Sequence, residues 1–329
     1  MNVLVIGKPN YDVILPVDSY PSLGAFKSTN EKMEQPGGIS VYVACMLSKW
    51  GLKVHYAGLI SGDEIGNKIK AELEKYNVDI KNVETNFEVK SNINYKILDK
   101  SNGLSSSILS DNGAYLTRYK YDFIPDYIIV DGTDIGGGIA AANNYPTSKI
   151  IFIGNKVNEQ YYDMSKRSHY VCANFEFAKA LTKLDAYINK PKTLVDLFQK
   201  IKDLNKAEYI LMLKENGVLY VKERQVKMIP AVLVAKKDDS NYDAAFFGAY
   251  AYSVIKGFDA DMMAKICNMA GFVGTGNVGS LTSIPSKEYV FNTCGLVEPQ
   301  SNELIEELSD DIETPALINK EGTTNVNEG

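Results

Sequence analysis

Val3-Leu4-Val5-Ile6-Gly7-Lys8-Pro9-Asn10-Tyr11-Asp12 opens the chain with four consecutive apolar residues that stop at Gly7 and Pro9. A short apolar run closed by turn residues reads as a strand buried on both faces. Runs of the same kind recur at Val54 to Leu59, Tyr127 to Val130, Ile150 to Ile153 and Tyr209 to Leu213. Helical patterns lie between them. Val43, Met46, Leu47 and Trp50 fall on one stripe, and Ile65, Ile69, Leu73 and Tyr76 on another, with Gly51 and Asn77 as stops. Buried strands alternating with amphipathic helices predict an α/β fold with a central, mostly parallel sheet flanked by helices.

Two segments depart from that rhythm. Between Glu88 and Leu98, Val89, Ile93, Tyr95 and Ile97 are apolar while Lys90, Asn92, Asn94 and Lys96 are polar, a period of two that predicts a strand with one wet face. The stretch from Tyr11 to Gln35, punctuated by Pro16 and Pro21, is also strand-prone. The two are expected to pair into a small β-sheet, and a lid over a cleft is a natural use for it. From about Glu298 the composition changes: Glu303, Glu306, Glu307, Asp310, Asp311 and Glu313 face a single base, Lys320. That acidic tail, 298–329, is expected to be solvated and poorly ordered, with one short helix at 302–308.

The full chain has 329 residues, 45% of them apolar, and 35 Lys and Arg against 41 Asp and Glu give a net charge of −6. Such a length fits about two domains or one large α/β domain. The acidic balance and the lack of a Lys/Arg-rich block argue against nucleic acid as a partner. No apolar run approaches the ~18 residues of a membrane span, and the N-terminus lacks a basic segment followed by a long apolar one. The expectation is a soluble, cytoplasmic protein with no membrane partner. Cys45, Cys172, Cys267 and Cys294 are scattered, and the histidines are His55 and His169, so neither a zinc site nor a disulfide framework is expected.

Gly274-Thr-Gly276-Asn-Val-Gly279 matches a dinucleotide fingerprint, but that motif works only between a strand and a helix, and here a helical pattern precedes it. Gly37-Gly38 is more informative because it opens directly into the helix carrying Val43 and Met46. Two glycines there allow a ligand to approach the free N–H groups of the first turn, although a plain tight turn explains them equally. Asn10 and Asp12, one residue apart beyond the first strand, face the same way at the carboxyl end of a sheet, where open α/β sheets bind ligands. An amide and a carboxylate there suit sugar hydroxyls; an Asx-type turn is the alternative. Lys237-Asp-Asp-Ser-Asn-Tyr-Asp243 leads into a helix that closes at Gly257, which puts Asp243 in a first helical turn, as an anion-site residue or simply as a capping carboxylate.

In this order the pieces resemble the ribokinase-like carbohydrate kinases, the PfkB family, over roughly residues 1 to 292. The carriers are Asn10-Tyr-Asp12, Pro36-Gly37-Gly38, Gly62-Asp63-Glu-Ile-Gly66 with Leu73, Asp126 to Gly132, Ala173-Asn174, Asp243 heading a late helix, and Pro285. The resemblance implies a ribokinase-like fold over 1–297 with a small β-sheet lid from about 11–35 and 87–112. It implies phosphoryl transfer from ATP, with Mg2+, to a hydroxyl of a sugar or sugar-like metabolite, and a homodimer paired through the lid. Asn10, Asp12, Gly37, Gly38 and Tyr42 would hold the sugar, and Asp243 would act as general base. Asn174, Lys214, Gly217, Ser240, Asn241, Tyr242 and Asn268 would line the nucleotide side.

Departures concentrate at the phosphates. Where the family reads Asp-Thr-x-Gly-Ala-Gly-Asp, this chain reads Lys237 to Asp243 with both glycines replaced, and Tyr242 is expected to crowd the anion hole. The Asn-x-x-Glu motif keeps Asn174 but has Phe177 at the Glu position. The Thr-x-Gly contact becomes Met212-Leu213-Lys214, although Gly217 remains, and Tyr42 replaces the usual Asn in the helix after the glycines. Losing one donor to a transferring phosphoryl group commonly costs about 3 kcal/mol of transition-state stabilisation. Two functions therefore stand side by side: a divergent sugar kinase, and a pseudokinase that binds a metabolite or regulates without transfer. A third, recognition of a partner by the acidic tail, is weaker.

Overall fold

The computed structural model of the protein describes residues 1–232 and 234–296 and the backbone of Glu303–Glu307. Its elements are β1 Val3–Ile6, β2 Asn10–Val17, β3 Met33–Gly37, α1 Ile39–Lys49, β4 Val54–Ala57, β5 Leu59–Ser61, α2 Glu64–Lys75, β6 Glu84–Asn86, β7 Ile93–Asp99, β8 Ser105–Ser110, β9 Tyr127–Val130 and α3 Ile135–Asn144. The chain continues through β10 Lys149–Gly154, α4 Glu159–Arg167, β11 Tyr170–Asn174, α5 Phe175–Thr182, α6 Pro191–Leu204, β12 Glu208–Met212, β13 Val218–Lys222 and β14 Gln225–Ile229. It ends in α7 Tyr242–Lys256, α8 Ala260–Gly274, α9 Lys287–Leu296 and β15 Glu303–Glu307.

The large sheet runs β15-β14-β13-β12-β11-β10-β9-β1-β4. From β4 to β12 it is parallel, and β13, β14 and β15 are antiparallel. Alternate residues of each strand feed two cores. Val3 and Val5 pack in one with α1, α7 and α8, while Leu4 and Ile6 pack in the other with residues of α3 to α6. Strands covered on both sides have no wet face, which is why the parallel ones appear as unbroken apolar runs. Tyr170–Asn174 carries Cys172 and ends in the polar Asn174, so its apolar run is too weak to stand out as a strand.

A second sheet, β3-β2-β7-β8, comes from the two segments that broke the rhythm. Its period of two is as read, but the polar side is turned inward: Asn92 and Lys96 are buried, whereas Tyr95 is 47% exposed. The wet face is the wall of a cleft. The hairpin end of this sheet rests on the main body through Asp239 N–H, which donates to Gly103 O at 2.8 Å.

Most of the acidic tail lies outside the described residues. Glu303–Glu307 runs as a strand antiparallel to β14, not as the short helix expected at 302–308. The fingerprint-like 274–279 segment follows α8 and precedes a short 3₁₀ turn, so it has no strand before it.

Gly38 begins α1 at φ 96° without a side-chain cap, and a Cβ there would sit 3.2 Å from Lys8 O. Gly38→Ala is therefore expected to destabilise the protein by about 2 kcal/mol, read as a lower urea midpoint at unchanged slope. An unshifted midpoint would mean the turn relaxes freely.

Candidate functional site

β1 carries the chain to the carboxyl end of the large sheet, and Gly7 to Pro9 turn it into β2, so Asn10 and Asp12 stand where β2 meets β3. Asn10 pairs with Gly37 and Asp12 with Gln35. A Cβ on Gly37 would collide with the Asp12 carboxylate and lie 2.6 Å from Asn10 Oδ1, so glycine is what lets both side chains occupy this corner. Asp12 is 2% exposed. Its Oδ2 accepts from Ser280 Oγ at 2.6 Å and its Oδ1 from Asn94 Nδ2 at 2.9 Å. The buried Oδ1 of Asn10 has no hydrogen-bond partner among the described residues.

These residues border a cavity of about 180 Å³ together with Gly38, Ile39, Tyr42, Lys96, Ser107, Ser240, Asn241 and Ala244. The structure thus brings Asn10, Asp12, Gly38, Tyr42, Ser240 and Asn241 to one place, with Gly37 directly behind them. Tyr42 contributes ring surface more than a titrating group: its hydroxyl donates to Ser283 O at 3.3 Å, and burial pushes the phenol well up.

Asp243 is not in that wall. The residue of α7 that faces the cavity is Ala244. The Asp243 carboxylate lies 3.9 Å from Lys214 Nζ; burial raises its pKa, Lys214 pulls it back and Asp239 pushes it up again. The helical step of ~100° per residue turns neighbours to different faces, so placing the Asp-Thr-x-Gly-Ala-Gly-Asp pattern from Lys237 was one residue early. Asp238, fully buried, is the carboxylate that organises the turn, accepting from Ser240 Oγ at 2.6 Å and from Gly279 N at 3.2 Å. Counted from Asp238, the pattern's last position falls on Ala244.

Tyr242 does not crowd this turn either. It is 1% exposed, with its ring 5.0 Å from that of Phe272 and nearly perpendicular to it, inside the core between α7 and α8. An apolar neighbourhood on that face of α7 draws the ring inward.

The nucleotide-side residues are more dispersed. Asn174 caps α5, its Oδ1 accepting from Phe177 N at 2.8 Å. Gly217, at φ 94°, closes the turn between β12 and β13. Lys214 Nζ lies 3.3 Å from Asp239 Oδ2, and Lys236 Nζ lies 3.1 Å from Asp239 Oδ1 and is paired with Glu215. Asn268 donates to Pro230 O at 2.7 Å, while its buried Oδ1 lacks a partner among the described residues. Among the described residues no group of three or more His, Cys, Asp or Glu could hold a metal ion.

Asn94, Lys96, Ser107, Ser280 and Ala244 were missed in the sequence. For Asn94 and Lys96 the signal was available in the polar positions of the alternating strand. For Ser280, 268 residues from Asp12, there was none.

Residues 1–121 match the model of the pfkB family carbohydrate kinases. No curated protein matches the chain by sequence. Among solved structures, a putative ribokinase from Agrobacterium tumefaciens is similar at 15% identity and TM-score 0.79, over 90% of this chain and 97% of that one. Ribokinase from Cryptococcus neoformans var. grubii serotype A, in complex with ADP, has 18% identity and TM-score 0.73 over 89% and 99%. Arabidopsis thaliana ribokinase, complexed with ribose and ATP, has 14% identity and TM-score 0.70 over 89% and 98%. The chain is ribokinase-like in fold and carries the pfkB carbohydrate kinase signature in its first 121 residues. No helix among the described residues is long and apolar enough to cross a membrane.

Proposed function

We propose that the protein binds a sugar or sugar-like metabolite in the cavity between its small sheet and the start of α7, and transfers a phosphoryl group from ATP to one of its hydroxyls. The observation that carries this reading is the acceptor set beyond the end of β1: the Asp12 carboxylate, held by Ser280 and Asn94, beside an Asn10 oxygen with no partner among the described residues. Fixed acceptors short of donors suit adjacent hydroxyl groups. The pfkB match and the ribokinase fold, found with ADP in the Cryptococcus protein and with ribose and ATP in the Arabidopsis one, support the reaction class.

For ATP, the present residues are a partial fit. Lys214 and Lys236 supply positive charge near the start of α7, but both are already paired with Asp239, so a polyphosphate must displace those contacts. Asn268 Oδ1, without a hydrogen-bond partner among the described residues, is an acceptor suited to an exocyclic amine. With no metal-binding cluster among the described residues, Mg2+ would arrive on the nucleotide's own phosphates. Phosphoryl transfer depends mainly on positioning and charge, so the lack of a carboxylate at position 244 slows the reaction without forbidding it.

Binding without transfer is the second reading, and Ala244 in the cavity wall favours it. Incubation with Mg·ATP and a panel of aldoses, ketoses, polyols, sugar acids and nucleosides, read by mass spectrometry of the products, separates the two. A phosphorylated product that disappears in an Asp12 variant supports transfer. Ligand binding with no product across the panel leaves the second reading standing.

The same reading includes a homodimer. Tyr95 and Ile108, paired across β7 and β8, are 47% and 76% exposed and form an apolar outer face on the small sheet. A monomer mass in sedimentation at micromolar protein would rule it out.

A further inference from the structure

Lys96 is the one charged residue of the cavity lining whose chemistry the reading above does not use. It sits on β7, 3% exposed, inside the wall that also holds Asp12. These two are the charged residues of the lining, one of each sign. Lys96 Nζ makes a single hydrogen bond among the described residues, to Ser240 Oγ at 2.6 Å, and lies 3.6 Å from Asp238 Oδ2. The single proton of the Ser240 hydroxyl is already committed, since it donates to Asp238 Oδ1 at 2.6 Å while the oxygen accepts from Lys96. An ammonium has three N–H donors. At least one therefore remains for whatever fills the cavity.

Burying an ammonium is costly unless its donors find acceptors, and an ionised acceptor makes the stronger bond. Asp238 meets part of that need. Its own oxygens are shared with Ser240 and Gly279 N, however, and it stands beyond hydrogen-bond distance from Nζ. Ser240 belongs to the turn that leads into α7, a 15-residue helix with no side-chain cap at its start. The partial positive charge there acts in the same direction as Lys96.

Strand register gives the spacing. Asp12 lies opposite Asn94, and Lys96 is the next residue of β7 on the same face. The Cα atoms that carry the two charges are thus offset by roughly 7 Å along the strands, about the length of a five- or six-carbon chain. A neutral sugar would satisfy Asp12 and leave the ammonium facing a weak hydroxyl acceptor.

We infer that Lys96 selects a polyhydroxylated carboxylate: the ligand's hydroxyls donate to Asp12 and Asn10 at one end, and its carboxylate accepts from Lys96 at the other. One ammonium balances one carboxylate, and the exposed alternative, a simple aldose, lacks that group. The inference rests on the proposed sugar-binding cavity and narrows its substrate class. Lys96 is here a specificity-determining residue.

The test compares wild-type protein, by calorimetry, on D-ribonate and D-gluconate against D-ribose and D-glucose. At least one aldonate is expected to bind tenfold or more tightly than its neutral partner. Lys96→Gln, which keeps a donor for Ser240 but removes the charge, should erase that ratio by lowering aldonate affinity far more than neutral-sugar affinity, and Lys96→Arg should retain it. A purely structural ion pair would lower the melting temperature of Lys96→Gln without changing the acid-to-neutral ratio, and that outcome overturns the inference. Neutral sugars binding as well as, or better than, both aldonates in wild type overturns it too, with the cavity assignment intact. If none of the four compounds nor any member of the product panel binds, the cavity assignment itself fails.

Discussion

Ala244→Asp is expected to raise the rate of phosphoryl transfer by roughly 10²-fold, the lower end of what a positioned general base contributes. Ala244 faces the cavity from the first turn of α7, alongside Ser240 and Asn241. A carboxylate added there would reach toward hydroxyls held by Asp12, and helix N-termini stabilise negative charge. Asp243 does not line this cavity, and its carboxylate lies 3.9 Å from Lys214 Nζ instead. The measurement is initial rate of sugar phosphate formation at saturating Mg·ATP, wild type against variant. If wild type makes no product and the variant does, the protein binds without transfer and position 244 explains why. An unchanged rate, with the ligand still bound, would show that the reacting hydroxyl is not at this end of the cavity.

The fold was legible because its strongest signals are local. Val3 to Ile6 and Tyr127 to Val130 are apolar without interruption because helices cover both faces, and nothing else in a soluble chain produces that pattern so often. Asn10 and Asp12 were legible for the same reason, being fixed in place by the strand immediately before them. The late site was not. Lys237 to Ala244 contains three carboxylates within six positions, and the choice of which one faces the cavity is made by the turn at 239–241 and by the burial of Tyr242 against Phe272. Neither is visible one residue at a time. A slip of one position on a helix moves a side chain to another face, which is how Asp243 came to be expected where Ala244 stands. The inward direction of Lys96 was hidden differently. Alternation reveals that two faces differ but not which of them meets solvent, and a cavity wall is polar like an outer surface.

Asp12→Ala is expected to weaken ligand binding by roughly a hundredfold, from the loss of about 3 kcal/mol of charged hydrogen bonding. Both carboxylate oxygens are already anchored, Oδ1 by Asn94 and Oδ2 by Ser280, so their remaining lone pairs are aimed without further ordering when a ligand arrives. Preorganised acceptors are worth more than mobile ones because little freedom is lost on binding. Alanine removes the acceptors and also strands two buried donors, Ser280 Oγ and Asn94 Nδ2, that would then face the ligand's hydroxyls with nothing between them. Asp12→Asn is the gentler comparison: its amide oxygen can keep one of the two anchors, so binding should fall by less than in Asp12→Ala. Calorimetric titration of the tightest-binding compound with all three proteins reads this order directly, and circular dichroism checks that the sheet survives. Equal affinity in all three would remove Asp12 from the site, and with it the acceptor set on which the assignment of this cavity to a hydroxylated metabolite depends.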